Sequence, residues 1–375
     1  MNVEQVLSNA RVVLAHEVIE GHVVVRDGVI AEVGHGPAGG DDMEGDYLLP
    51  GLVELHTDHM EGHYAPRPGV RWSPVAAVQA HDAQVAASGI TTVFDALRIG
   101  LNDDSGMSAA DFLSLGDAIH HCVDAGRLRA EHFIHLRCEV AAPDCLEQFR
   151  RFEGDRRVRI ASLMDHAPGQ RQFATLEAYA NYYQKKKGMT DEVFRAFADR
   201  RSRESAQYSA SHRRAIADLC NQSGITLASH DDATRDHVAD AVAHGIRIAE
   251  FPTTLEAARA SRESGMAILM GAPNVVRGGS HSGNVSALDL AREGLLDILS
   301  SDYVPFSLLQ AVFALGSVVE LPEAVAMVTR HPAEAIGFND RGTIEPGRRA
   351  DLVRVSADTD VPLVRTVWRE GRRVI

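Results

Sequence analysis

The stretch Leu48-Leu49-Pro50-Gly51-Leu52-Val53-Glu54-Leu55-His56-Thr57-Asp58 is an apolar, strand-like run that ends in two reactive side chains, His56 and Asp58. Side chains at i and i+2 of a strand point to the same face, so one cation can reach both. An imidazole beside a carboxylate suits Zn²⁺, Mn²⁺ or Fe²⁺. Taken alone, the pair fits equally well as a strand end followed by a helix-opening Asp. The other strand ends of the chain favour the metal.

Seven more runs of this texture occur, at residues 89–96, 132–139, 158–164, 225–229, 246–251, 267–270 and 295–299. Stretches with helical spacing of apolar residues lie between several of them, at 76–87, 112–125, 205–222, 236–243 and 255–262. Alternating helices and buried parallel strands leave a doubly wound sheet or a barrel. The run at 48–55 brings the total to eight, which favours an α/β fold of the (β/α)8 TIM-like barrel type.

The two ends of the chain differ from this middle. Short β-type pieces occupy 10–14, 22–25 and 29–33, with a hairpin turn at Asp27-Gly28. Similar pieces occupy 342–345, 351–355 and 367–375, with turns at Pro346-Gly347 and at Glu370-Gly371-Arg372. Chain ends commonly lie close together. Residues 1–47 and 341–375 are therefore expected to form one small β-sandwich domain beside a barrel domain at 48–340. An insertion at 167–223, rich in Tyr, Gln, Arg and Lys, is expected to add helices over one end.

Chemistry gathers at the C-terminal ends of the runs, the ends that converge on the active site of such a barrel. The third ends in Arg137 and Glu139, the fourth in Asp165 and His166, the fifth in His230, Asp231 and Asp232, and the eighth leads to Asp302. His56, Asp58, His166, His230 and Asp302 are the expected metal ligands. Glu139 either bridges two ions from the third strand or pairs with Arg137. Asp302 doubles as the catalytic base, since a carboxylate beside a metal-bound water can take its proton. One or two divalent ions are expected, Zn²⁺ first and Mn²⁺ or Fe²⁺ as alternatives.

The loop at 271–284, G-A-P-N-V-V-R-G-G-S-H-S-G-N, suits an anionic substrate. Gly278 and Gly279 permit close backbone approach, while Arg277, Ser280 and His281 offer donors. It lacks the spacing of a P-loop. Arg67, Arg137 and Arg171 are further candidates for binding substrate.

A balance of 38 Lys+Arg against 52 Asp+Glu, a net charge of -14, argues against a nucleic-acid partner. No apolar run reaches the roughly 20 residues of a membrane span, and the N-terminus lacks a signal-peptide pattern. A cytoplasmic location and four free thiols are expected. Assembly with further copies of the chain is left open.

Longer motifs add a resemblance. L-L-P-G-L-V-E-L-H-T-D and G-T-I-E-P-G-R-R-A-D-L-V resemble the two signatures of the amidohydrolase superfamily, which mark entry into the barrel and return to the β-sandwich. The usual pair there is His-x-His, where this chain has His56-x-Asp58. The usual Lys or Glu of the fourth strand is missing as well, with His166 in its neighbourhood. R-C-E, S-L-M-D-H-A-P-G-Q-R-Q-F, L-A-S-H-D-D-A-T, A-E-F-P-T-T and L-L-D-I-L-S-S-D-Y are similar to one branch, the triphosphate diphosphatases of phosphonate catabolism. That resemblance implies a small-molecule substrate, α-D-ribose 1-methylphosphonate 5-triphosphate, hydrolysed to the 5-phosphate and diphosphate. Cyclic amide hydrolysis or deamination is the enzymatic alternative, and a metal-free scaffold the non-enzymatic one.

Overall fold

A computed structural model of the chain describes residues 4–100, 106–171, 179–180, 184, 188–280, 283–359 and 361–375. Its strands are β1 (Glu4–Val13), β2 (Val18–Arg26), β3 (Val29–His35), β4 (Asp41–Asp42) and β5 (Tyr47–Pro50) near the N-terminus. Then come β6 (Leu52–Thr57), β7 (Ile90–Ile99), β8 (Glu131–Glu139), β9 (Val158–Met164), β10 (Thr226–His230), β11 (Ile248–Glu250), β12 (Ala267–Gly271) and β13 (Ile298–Ser300). The last are β14 (Leu352–Ser356), β15 (Leu363–Arg369) and β16 (Arg372–Arg373).

Strands from both ends of the chain make one sheet, in the order β16-β15-β14-β5-β1-β2-β3 with β4 beside β1. Its hairpins obey the local sequence. Asp27 and Gly28 both take positive φ, 52° and 83°, and join Arg26 to its partner Val29 across two residues. Glu370 and Gly371 repeat the device between β15 and β16. Such turns match the twist of the strands they connect. Leu7, Val23, Ile30, Leu48, Leu352 and Trp368 pack into the core of this sheet. Residues 342–345, expected as a strand, form none; Ile344 is buried in that core, and Gly342, at φ 92°, lies hard against the backbone of Thr329 and Arg330.

The second sheet holds the eight strands β6 to β13 in chain order. The opening run is thus two strands: β5 belongs to the terminal sheet and β6 to the parallel one. Gly51 makes the change of sheet, and any Cβ there would collide with the side chain of Thr91. Thr57 at the end of β6 forms a parallel bridge with Asp302 beyond β13.

The chain divides into two compact units. The first is Met1–Asp95 with Asp117–Phe133 and Met270–Ile375; the second is Ala96–Gly116 with Ile134–Leu269. In the second, the insertion contributes the helix Asp191–Ser223, which starts at the Thr190 cap and stops at left-handed Gly224, φ 69°. Thr234 and Thr254 cap the helices after β10 and β11 in the same way, each accepting a backbone N–H three residues on. These caps end the loops that carry the reactive strand-end residues. In the first unit, the 271–284 segment is not loop throughout, because Ala272–Val276 forms a short helix opened by Pro273.

Candidate metal centre

Strand register gathers ligand-type side chains in the second unit. β8 and β9 set Glu139 against Met164, and β10 and β11 pair His230 with Glu250. Glu139 Oε2 accepts a hydrogen bond from His166 Nδ1 at 2.6 Å. Its Oε1 accepts the His166 backbone N–H at 3.1 Å and meets Arg201 Nη2 at 3.2 Å. His230 Nδ1 lies 3.4 Å from Glu250 Oε2, which also accepts from Ser162 Oγ at 2.6 Å.

A histidine whose Nδ1–H is held by a carboxylate carries its lone pair on Nε2. The two Nε2 atoms face one carboxylate oxygen, Asp231 Oδ2, at 3.7 Å from His166 and 3.5 Å from His230. His166, His230 and Asp231 offer ligand atoms that all lie within 4.8 Å of one another. Carboxylates behind metal-binding imidazoles are a recurring design, and this donor set fits a divalent ion such as Zn²⁺.

Charge on these groups follows from their partners. Burial disfavours a charged His166, yet Glu139 and Asp231 outweigh it and push the imidazole up to about 9, so a metal bound at Nε2 would replace a proton there. Burial likewise opposes the Glu139 carboxylate, but His166 and then Arg201 bring it down to about 2. Burial pulls His230 below its ordinary value and Arg137 adds to that, against Asp231 and Glu250, so a neutral ring is favoured. Asp231 and Phe251, immediately after β10 and β11, hold φ of 57° and 53°. Such conformations cost a non-glycine residue roughly 1–3 kcal/mol and cluster at functional sites.

The first unit carries the other strand ends. His56 is fully buried, with its backbone N–H donated to Glu54 Oε1 at 2.6 Å. Glu54 Oε1 also lies 2.8 Å from Ser300 Oγ, and Oε2 accepts the Ser301 N–H at 2.5 Å. Glu54 therefore ties β6 to β13 just below His56. Burial, only partly offset by these donors, raises Glu54 to about 7. Asp302, at φ 54°, donates its N–H to His56 O at 3.1 Å and accepts the Asp58 N–H at 3.2 Å. His56, Asp58 and Asp302 are thus brought together by backbone pairing.

A second histidine–carboxylate group lies in the same unit. His81 Nε2 meets Asp95 Oδ1 at 2.8 Å, and His132 Nδ1 meets Asp95 Oδ2 at 2.7 Å. His132 Nε2 is 3.3 Å from Asp82 Oδ1. At the other end, His81 Nδ1 is 3.2 Å from His59 Nδ1.

The substrate-binding candidates fare differently. Arg137 is buried, and its charge acts on both His230 and Asp231. Arg171 is buried in an ion pair with Asp232 and lies 3.6 Å from Asp240. Arg67 and Arg277 are exposed. Gly278 and Gly279 have φ of 75° and 150°, conformations that favour glycine, and Ser280 is half-buried beside them. Asn274 Nδ2 donates to Val285 O at 3.3 Å and its Oδ1 accepts from Ala287 N at 3.0 Å, which pins the base of this loop. His281 lies outside the described residues.

The sequence placed Asp231 at a strand end without making it a ligand, and it did not single out Glu250, Glu54 or Arg201. Glu250 stands in the strand-end motif A-E-F-P-T-T and could have been found there. Glu54 is a carboxylate within an apolar run, a signal in itself. Nothing distinguished Arg201 from the other arginines of its helix.

Comparison with known proteins bears on the family and the fold. A model of the amidohydrolase family matches residues 147–375. The alpha-D-ribose 1-methylphosphonate 5-triphosphate diphosphatase of Escherichia coli (strain K12) is 47% identical over 376 aligned positions, covering 98% of this chain and 100% of that protein. A crystal structure of an amidohydrolase aligns with a TM-score of 0.66 at 16% identity, over 100% of this chain and 99% of the other. The 5-methylcytosine deaminase of Klebsiella pneumoniae aligns at 0.65 and 15% identity, over 99% and 98%. At such identities the structures establish the fold alone, an α/β barrel of eight parallel strands with a separate β-sheet built from both termini. By the family match and the full-length relative together, the chain belongs to the amidohydrolase family.

Proposed function

We propose that the chain hydrolyses a phosphoanhydride, converting α-D-ribose 1-methylphosphonate 5-triphosphate and water to the 5-phosphate and diphosphate. The observation that carries this is the 47% identity over 98% of the chain to a relative named for that activity. His56, Asp58, His166, His230 and Asp302 are the proposed metal ligands, with Asp231 added by its position between the two imidazoles. Glu139 acts in this scheme through His166, because both of its oxygens are engaged, rather than as a bridge between two ions.

A bound divalent ion, Zn²⁺ first and Mn²⁺ or Fe²⁺ as alternatives, supplies Lewis acidity and makes water a better nucleophile. Asp302 accepts the proton of the attacking water. That oxygen bonds to phosphorus as the bond to the departing diphosphate breaks. Arg137 offsets negative charge gathering on the phosphoryl oxygens. Arg277, Gly278, Gly279, Ser280 and His281 grip the polyphosphate, and Arg67 is exposed enough to join them. A cytoplasmic enzyme with a small-molecule partner is the resulting picture; among the described residues no helix is long and apolar enough to cross a membrane.

Phosphorus NMR of the Zn²⁺-loaded protein with this triphosphate tests the proposal. The 5-phosphate and diphosphate should appear in equal amounts. Orthophosphate as the first product, or deaminase or cyclic-amide activity with no diphosphate, would overturn it.

A further inference from the structure

The helix Asp191–Ser223 buries apolar side chains at both ends and polar ones between them. Phe194 and Ala198 are buried near its start, and Ile216, Ala217 and Cys220 near its end. The buried positions of its middle are Arg201, Ser205, His212 and Arg213. Apolar residues would dock a helix at less cost, because each buried polar group must find a partner to offset its lost hydration. What these residues pair with therefore decides their role.

Arg201, Ser205 and Ser209 stand at i, i+4 and i+8, so they form one stripe along the helix. Arg201 Nη2 lies 3.2 Å from Glu139 Oε1. The hydroxyls of Ser205 and Ser209 both donate to Asp165 Oδ2, each at 2.7 Å. These two carboxyl groups enclose a single residue, His166. Glu139 accepts its backbone N–H at 3.1 Å and its Nδ1–H at 2.6 Å. Asp165 Oδ1 accepts the next backbone N–H, that of Ala167, at 3.0 Å. The chain is thus held on both sides of His166, and each holding group is itself held by the stripe. One turn further along, His212 Nδ1 donates to Val140 O at 3.1 Å, and the Val140 N–H donates to Met164 O at 2.9 Å. These bonds tie the helix to the ends of β8 and β9, the strands that lead to Glu139 and His166.

We infer that Arg201, Ser205 and Ser209 are positioning residues: through Glu139 and Asp165 they fix the backbone and ring of His166 so that Nε2 is presented to a divalent ion. In this scheme none of the three touches the ion. They act on its affinity and its coordination geometry through the groups that support the ligand. The inference rests on His166 as a metal ligand, and the test separates the two claims.

Co²⁺ binding provides that test, because the visible spectrum of this ion follows the geometry of its ligands. Protein freed of metal is titrated with Co²⁺, and affinity and spectrum are read together. His166→Asn should weaken binding; unchanged affinity there overturns the ligand assignment and the inference with it. The double variant Ser205→Ala, Ser209→Ala should bind about tenfold more weakly and shift the visible bands. With Ser205→Ala kept, Ser209→Thr, which retains a hydroxyl, should bind more tightly than Ser209→Ala. Thr190→Ala weakens the same helix at its N-cap, where the Thr190 side chain accepts the Val193 N–H, and leaves the stripe intact. Its spectrum should match wild type. Wild-type affinity and spectrum in a folded double variant, or an equal change in Thr190→Ala, would reduce the serines to helix docking and overturn the positioning role. If the double variant does not fold, Ser209→Ala against Ser209→Thr makes the same comparison at a half-buried position, and equal affinity of the two overturns the role.

Discussion

Replacing Glu139 by Gln keeps the shape of the side chain and removes one of its two acceptor oxygens. The carboxylate serves three donors: His166 Nδ1 at 2.6 Å, the His166 N–H at 3.1 Å and Arg201 at 3.2 Å. If the single amide oxygen stays on His166 Nδ1, the NH2 group faces the other two donors. If it turns to them, the NH2 group faces Nδ1, and His166 must place its hydrogen on Nε2, where a metal would bind. Either way His166 loses orientation or charge support. Losses of this type cost about 10–100-fold in metal affinity, or roughly 1.4–2.7 kcal/mol. The assay is Zn²⁺ competition against a chromophoric chelator, with metal content measured on the same protein. The expected result is weaker binding at unchanged stoichiometry. A drop from two ions to one would instead make Glu139 a bridge. Affinity within twofold of wild type in a folded protein would refute the orienting role.

Other consequences arise from the same geometry. Burial opposes charge on His132, but Asp95 and Asp82 raise it from 6.5 to about 9, so its stabilising contribution is complete below pH 6.5 and lost as pH rises through about 9. Taken once for the shared ion pair, that is on the order of 3 kcal/mol, and the stability gap between wild type and His132→Gln in denaturant titrations should narrow across this window. Asp302→Asn, compared with wild type at matched metal content, should lose about 10²–10⁴-fold in kcat; full activity would exclude Asp302 as the base. Glu54→Gln leaves at least one of the donors His56 N, Ser300 Oγ or Ser301 N unmatched, and thermal unfolding should reveal a loss of about 1–3 kcal/mol.

Much of this architecture was legible because barrel strands carry two independent signals, an apolar run and a reactive C-terminal end. Apolar runs found all eight strands, and the Asp27-Gly28 and Glu370-Gly371 turns declared themselves chemically. The switch at Gly51 was hidden, since a continuous apolar run does not reveal that its two halves bond to different sheets. The strand expected at 342–345 failed for a related reason: Ile344 is apolar because it is buried, not because it is paired. At the site, residues i and i+2 such as His56 and Asp58 could be read together, while partners separated by long stretches could not. Arg201 reaches Glu139 from a helix of 33 residues whose other arginines look the same in sequence. The His81–Asp95–His132 group joins one helix and two strands, and no spacing rule connects them.

The central claim is a divalent metal held by strand-end histidines and carboxylates. An anomalous-difference map from a crystal of the Zn²⁺-loaded protein tests it most directly. The expected result is a peak about 2.0–2.1 Å from the Nε2 atoms of His166 and His230, with Glu139 and Glu250 on the Nδ1 sides of those rings. A peak among His81, Asp95 and His132 alone, or no peak in an active protein, would contradict it.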